Sequence, residues 1–255
     1  MKYISNTSSQ AVTFYRPINN YAYYRLFGYI TALALHGGNV ITMLFALQGD
    51  SMKDPEIETF YSLQWVYITI WNVVFQIIYS FLGILCDLPT TLEVKEPMLT
   101  KNLKSYREVL FTTIILPFGF AIFIIFWSIY IYDREMIFPA FIDKVIRQES
   151  NHIMHTAIVP IVLWELAFLP KSEPKSHKWN LAGTYGCFIT YLYVLFSTFA
   201  RRGIWPYPIL KICYGSIYFP MIFIGIAITL YLMYYGQWRV NSLLWGTNVT
   251  SKEKV

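Results

Sequence analysis

Three residues in two distant segments have the types needed for hydrolytic chemistry: Thr69, His152 and His155. A threonine hydroxyl becomes an effective nucleophile when a neighbouring base takes its proton, and histidine is the commonest such base. The two histidines are three residues apart, a spacing that puts both near one face of a helix. Thr69 begins a polar stripe with helical spacing, formed by Thr69, Asn72, Gln76 and Ser80.

Each of these features also has a structural interpretation, which the residues alone leave open. Small and polar side chains are common where membrane helices pack together. A histidine in such a protein is often held only by a hydrogen bond to a neighbouring helix. A metal site is not predicted, because no carboxylate occupies a neighbouring turn beside the histidines and the three cysteines form no CxxC pair. The residues imply no cofactor.

The composition is that of an integral membrane protein. Of 255 residues, 56% are hydrophobic and 14% are charged, whereas soluble domains carry about 25% charged residues. The excess apolar surface is expected to face a bilayer. The net charge of +5 comes from lysines and arginines spread over the connecting segments, which indicates orientation in a membrane rather than binding to nucleic acid. The oligomeric state is left open.

Six apolar segments approach the length of about 20 residues that a spanning helix needs. They predict an all-α polytopic fold of about six transmembrane helices, at Tyr23–Leu47, Trp65–Leu88, Val109–Tyr132, His152–Leu169, Leu181–Ala200 and Leu210–Tyr235. The predicted organisation is a polar N-terminus over 1–22, a transmembrane domain over 23–235 and a polar C-terminal tail over 236–255.

The distribution of basic residues predicts the orientation of these spans. Thirteen lysines and arginines lie on the side of the two termini and seven on the other side. Because basic loops stay in the cytoplasm, both termini are predicted to be cytosolic, in the plasma membrane or the endoplasmic reticulum.

The same topology predicts that Thr69 and His155 lie at one depth. The second and fourth spans both run away from the non-cytoplasmic side, with Thr69 four residues inside one and His155 three residues inside the other. At a rise of 1.5 Å per residue, both side chains lie roughly 5 Å below that boundary. His152 is nearer the interface. Pro160 predicts a kink below the histidines, and His36, near the middle of the first span, is interpreted as a packing or pore-lining residue.

Two blocks of sequence resemble the androgen-induced gene 1 family. They are Tyr-Asp-Arg-Glu at 132–135 and Asn-His-Ile-Met-His at 151–155, and similar segments are found at 65–69, 87–88 and 205–208. The resemblance covers roughly residues 60–235. It implies a multi-pass threonine hydrolase that cleaves fatty acid esters of hydroxy fatty acids, with the catalytic threonine at Thr69 and the histidine at His155.

Asn72, His152 and Arg134 are candidates for supporting roles. Asn72 is predicted to orient the histidine or to donate to the oxyanion. Arg134 lies just past the third span, on the side of Thr69 and His155, and is predicted to anchor the carboxylate of the substrate; the alternative is that it pairs with Asp133, Glu135 or a lipid headgroup and only holds the loop. The alternative functions are a non-catalytic membrane regulator or lipid-binding scaffold and, third, a transporter, for which no inverted repeat is found.

Overall fold

A computed structural model describes residues 21–95 and 97–246, and every regular element in these two ranges is helical. The longer elements are α1 (Ala22–Ala46), α2 (Pro55–Ser62), α3 (Ile68–Thr91), α4 (Met98–Leu110), α5 (Leu116–Asp133), α6 (Gln148–His155), α7 (Ile158–Phe168), α8 (Lys178–Arg202), α9 (Pro208–Cys213) and α10 (Tyr218–Trp245). Of the predicted N-terminal segment 1–22, residues 1–20 lie outside the described residues.

The all-α polytopic fold is confirmed. In the described part of the chain, five helical runs are long and apolar enough to cross a membrane: Ala22–Ala46, Ile68–Thr91, Met98–Met136, Lys178–Arg202 and Tyr218–Trp245. The third run contains one π-helical turn at Phe111–Ile115. Pro117, which has no N–H, cannot bond the Thr113 carbonyl, and the Thr184 hydroxyl donates to that carbonyl instead at 2.8 Å.

The predicted fourth span is not one helix, and this prediction is wrong. It is divided into α6 and α7, with the break at Thr156 and Ala157. Pro160 explains the position, because a proline leaves the carbonyl four residues earlier, that of Thr156, without its helical partner. The amides of Thr156 and Ala157 both donate to the His152 carbonyl, at 2.8 and 2.9 Å. As a result, His155 is the last residue of α6.

The predicted sixth span also differs at both ends. Gly215, with φ +80°, separates the short α9 from α10, because the left-handed conformation ends a helix. At the other end α10 continues to Trp245, ten residues into the predicted tail. The polar side chains there make tertiary contacts: Asn241 accepts from the Lys171 amide at 2.8 Å, and the Trp245 indole donates to the Leu166 carbonyl. Residues 247–255 lie outside the described residues.

Helices α1 and α3 form the closest antiparallel pair, and buried charges fix one end of it. Arg25 donates two hydrogen bonds to Asp87, at 2.8 and 3.0 Å, and Arg107 of α4 donates a third at 3.0 Å. Nearby, Glu165 of α7 pairs with Lys171 at 2.6 Å. Because breaking one partner of such a buried pair leaves an uncompensated charge, these contacts fix the register of the bundle.

At the opposite end, two connecting segments form a cap. It consists of residues 47–67, between α1 and α3, and residues 134–147, between α5 and α6. Buried side chains of both segments, including Ile57, Phe60, Phe138 and Ile142, share one apolar cluster. The Lys144 ammonium pairs with Asp54 at 2.7 Å and lowers the pKa of that carboxyl. The cap therefore packs as one unit over the ends of α3 and α6.

Candidate active site

Thr69 lies in the first turn of α3, where the cap meets the bundle. The extended backbone of Tyr67 starts the helix, and two tyrosines fix its first turn. The Tyr67 hydroxyl donates to the Pro206 carbonyl at 3.2 Å, and the Ile68 amide donates to the Tyr207 hydroxyl at 3.1 Å. Thr69 is thus held at a helix N-terminus, which carries the positive end of the helix dipole.

The structure brings Thr69 and His155 together. Thr69 Oγ1 lies 3.2 Å from His155 Nε2, within the reach that a nucleophile and its base require. The two residues for which the sequence predicts equal depth are therefore in direct contact. His155 is buried, and Thr69 is half-buried.

Asn151 fixes the proton on the far side of the imidazole. His155 Nδ1 lies 2.8 Å from Asn151 Oδ1 and 3.0 Å from the Asn151 carbonyl oxygen. A backbone carbonyl can only accept a hydrogen bond, so Nδ1 carries the proton and Nε2 presents its lone pair to Thr69. The ring of Phe126 stacks on the imidazole with 3.5 Å between centroids and an interplanar angle of 10°. The tautomer and the orientation of the ring therefore allow His155 Nε2 to accept the proton of Thr69.

Sequence reasoning missed the role of Asn151. The residue is part of the Asn-His-x-Met-His block, and a spacing of four places it on the same helical face as His155. That spacing was the available signal. Asn72, predicted as the orienting residue, makes no side-chain hydrogen bond with any described residue, although it lies one turn from Thr69 and is 1% exposed.

His152 and Arg134 do not reach the pair. His152 is exposed, shares a hydrogen bond with Thr156 Oγ1 at 3.1 Å and stacks on Trp127. Arg134 donates to Asp143 Oδ2 at 2.8 Å and to the Phe138 carbonyl at 3.2 Å. These contacts lie within the cap segment 134–147 and hold the loop, but the close ion-pair partner is Asp143 rather than the predicted Asp133 or Glu135, whose Oε1 lies 4.0 Å away.

The Arg134→Gln variant distinguishes the two roles of that residue. We expect it to slow cleavage of a free-acid substrate and of its methyl ester equally, by less than about tenfold, because a partly exposed ion pair contributes about 1 kcal/mol or less. The measurement is kcat/KM for both substrates at matched protein amounts. A fall in kcat/KM for the free-acid substrate alone would instead support the role in which Arg134 anchors the substrate's carboxylate.

An apolar cavity of about 140 Å³ opens beside Thr69 and His155. Its walls come from the cap and from α3, α5, α8 and α10, and its deeper part is entirely hydrophobic, with Phe118, Ile122, Phe188, Ile226 and Leu230. Leu230 is twelve residues into α10, which corresponds to about 18 Å of helix. The cavity therefore extends from the Thr69–His155 contact between the long apolar helices α3, α5, α8 and α10. Among the described residues, no group of three histidine, cysteine or acidic side chains could hold a metal ion.

The fold and this site define a polytopic membrane protein with a threonine–histidine pair at the mouth of an apolar cavity. The chain belongs to the FAR-17a/AIG1-like protein family, whose model matches residues 24–242. It is 32% identical over 186 residues to the human androgen-dependent TFPI-regulating protein, covering 72% of this chain and 78% of that protein.

Two further relatives show the same extent of similarity. The rat androgen-dependent TFPI-regulating protein is 30% identical over 74% of this chain and 80% of its own. The human androgen-induced gene 1 protein is 29% identical over 80% of this chain and 87% of its own. No solved structure matches the chain.

Proposed function

We propose that this protein is a membrane-embedded lipid ester hydrolase with Thr69 as nucleophile and His155 as general base. The observation that carries the proposal is the 3.2 Å contact between Thr69 Oγ1 and His155 Nε2 at an apolar cavity. The substrate class, fatty acid esters of hydroxy fatty acids, rests on the resemblance of the Tyr-Asp-Arg-Glu and Asn-His-x-Met-His blocks to the androgen-induced gene 1 family. The hydrophobic lining supports an acyl chain as the group that is bound.

In the first half of the reaction, Thr69 Oγ attacks the ester carbonyl and its proton passes to His155 Nε2. The tetrahedral intermediate then collapses, the ester C–O bond breaks and the departing alkoxide takes the proton from His155. The products of this half are a free hydroxy fatty acid and an acyl group on Thr69. The Asn151 contacts stabilise the imidazolium that forms in between, because both acceptors face its Nδ1–H.

In the second half, His155 takes a proton from water while the water oxygen attacks the acyl carbon. The bond from the acyl carbon to Thr69 Oγ breaks, Thr69 regains its proton from His155 and the fatty acid leaves. No cofactor takes part in either step.

The Thr69 amide is our candidate for the oxyanion donor. It lies in the first turn of α3, where helical N–H groups have no carbonyl within the helix, and it has no hydrogen-bond acceptor among the described residues. A donor at the positive end of a helix stabilises the charge that develops on the carbonyl oxygen. We therefore assign to the Thr69 amide the oxyanion role that was predicted for Asn72.

We also propose that the Thr69–His155 site faces the non-cytoplasmic side of the plasma membrane or the endoplasmic reticulum. The proposal rests on the excess of lysines and arginines at the ends and loops on the opposite side, thirteen against seven.

Labelling with a fluorophosphonate probe tests the proposed function. A reactive threonine displaces fluoride from the probe and keeps the phosphonyl group, so the purified protein should be labelled at Thr69, as read by peptide mass spectrometry. Labelling should compete with a fatty acid ester of a hydroxy fatty acid. A lipid-binding scaffold would bind the ester in the same cavity, yet it would not be labelled.

The Asn151→Ala variant tests the orienting role. We expect kcat to fall by about 10–100-fold, less than for the loss of His155, since positioned general base catalysis contributes about 10²–10⁴-fold and the Asn151 carbonyl still accepts from Nδ1. The readout is kcat for ester hydrolysis, with Ser150→Ala on the same helix as the matched control. An unchanged kcat would remove Asn151 from the site.

A further inference from the structure

Four buried polar side chains of α1 and α3 form what we call the polar seam: His36, Asn39, Asn72 and Gln76. Their exposed fractions are 0% for His36 and Gln76, 1% for Asn72 and 4% for Asn39. Seven of their side-chain nitrogen and oxygen atoms have no hydrogen-bond partner among the described residues: both ring nitrogens of His36, Oδ1 of Asn39, and both amide atoms of Asn72 and Gln76.

The register of α1 against α3 places these residues opposite one another. Arg25 pairs with Asp87, and the Tyr29 ring packs directly on Gly83, where a Cβ atom would lie 2.6 Å from its Cε2. Continued along the antiparallel pair, the same register sets His36 opposite Gln76 and Asn39 beside Asn72. The register therefore places the four side chains at neighbouring levels of the α1–α3 pair, and the Gln76 amide also reaches α5, where its Nε2 lies 3.9 Å from the position of a Cβ on Gly119.

The polar seam lies directly beneath the nucleophile. Asn72 is three residues from Thr69 and Gln76 is seven, which corresponds to about 4.5 and 10 Å along α3. None of the four residues lines the apolar cavity, which approaches Thr69 from the side of α5, α8 and α10. Thr69 therefore lies between the apolar cavity on one side and the polar seam on the other.

The chemistry of the unpartnered atoms points to water as their ligand. They include amide nitrogens that donate and amide oxygens that accept, and among the four side chains none is a carboxylate, a lysine or an arginine. Each buried amide without a partner costs about 1–3 kcal/mol, and backbone within its own helix is already paired. A small molecule that both donates and accepts satisfies such groups, as internal waters do in other proteins.

We propose that the polar seam binds water and supplies the molecule that hydrolyses the acyl group on Thr69. The proposal rests on the proposed hydrolase function. Once Thr69 is acylated, the acyl chain fills the apolar cavity, so water must reach the ester from the polar seam. A seam water adjacent to Asn72 gives a proton to His155 Nε2, its oxygen bonds to the acyl carbon, and the bond from that carbon to Thr69 Oγ breaks.

The Gln76→Met variant tests the seam while keeping the side-chain size. We expect formation of the acyl-enzyme from a p-nitrophenyl acyl ester to keep its rate, and its breakdown to slow by about 10–100-fold, as for a displaced reactant. The progress curve should then show a burst of p-nitrophenol. Ser80→Ala is the matched control on the same face of α3, since its hydroxyl bonds the Gln76 carbonyl at 2.8 Å, and it should show no burst.

Synchrotron hydroxyl-radical labelling gives a readout that does not depend on catalysis. Radicals form from water close to the labelled side chain, so His36 should be oxidised in the wild-type protein despite its 0% exposure, and less so after Gln76→Met. An unlabelled His36 together with normal breakdown of the acyl-enzyme in Gln76→Met would overturn the proposal. Release of p-nitrophenol by Thr69→Ala at the wild-type rate, by contrast, would contradict the hydrolase function itself, so the two failures are distinguishable.

Discussion

Replacing Thr69 with alanine is expected to lower kcat for ester hydrolysis by about 10³-fold or more and to abolish labelling by the fluorophosphonate probe. The reason is that the variant lacks the oxygen that forms the acyl bond, and losses of a nucleophile reach or exceed this size. The half-buried methyl group of alanine suits the first turn of α3, so the amount of folded protein should not change. The measurement is hydrolysis by the purified variant in lipid nanodiscs.

The Thr69→Ser variant is the matched control. It keeps the hydroxyl within reach of His155 Nε2 and is expected to retain both labelling and part of the activity. Full turnover by Thr69→Ala would contradict the assignment of the nucleophile, whatever the behaviour of the serine variant.

The two histidines should differ sharply when each is replaced by alanine. His155→Ala removes the base 3.2 Å from Thr69 Oγ1, and we expect a loss in kcat of about 10²–10⁴-fold. His152→Ala removes an exposed side chain that contacts Thr156 and Trp127 and does not reach Thr69, so its effect on kcat should be much smaller than that of His155→Ala. Steady-state kinetics of both purified variants provides the comparison.

The pH profile supplies a second readout for His155. A protonated imidazole has no lone pair on Nε2 and cannot accept the Thr69 proton, so activity should fall as the pH is lowered, in the wild type and in His152→Ala alike. An inactive His152→Ala variant beside an active His155→Ala variant would reverse the assignment.

The pairing of Thr69 with His155 was predicted from two lines of sequence reasoning. Counting residues from the start of the second and fourth predicted spans placed both at one depth, and the resemblance to the androgen-induced gene 1 family favoured this pair over a packing interpretation. The structure adds the 3.2 Å contact and the lateral position, which depend on how α3 and α6 pack. Residue spacing within one segment cannot provide that information.

Among the other features, some had a local signal and some did not. Asn151 is four residues from His155 in the same helix, but Asn72 is likewise one turn from Thr69, and spacing alone does not show which asparagine contacts the imidazole. The end of α10 was placed too early because Asn241 and its neighbours look like solvated residues, whereas they bond the segment after α7. The break before α7 was predicted only as a kink, although Pro160 specifies that the Thr156 carbonyl loses its donor four residues later; it accepts from the Val159 amide instead, at 3.2 Å.

The position of the cap has a consequence for how this protein would respond to its surroundings. Thr69 is two residues after one cap segment, and the short helix that ends at His155 begins directly after the other. Both helices that carry the reactive atoms therefore begin where a cap segment ends. A substitution or a bound molecule that shifts the packing of the cap against the bundle would change the distance between Thr69 Oγ1 and His155 Nε2, and with it the ease of proton transfer.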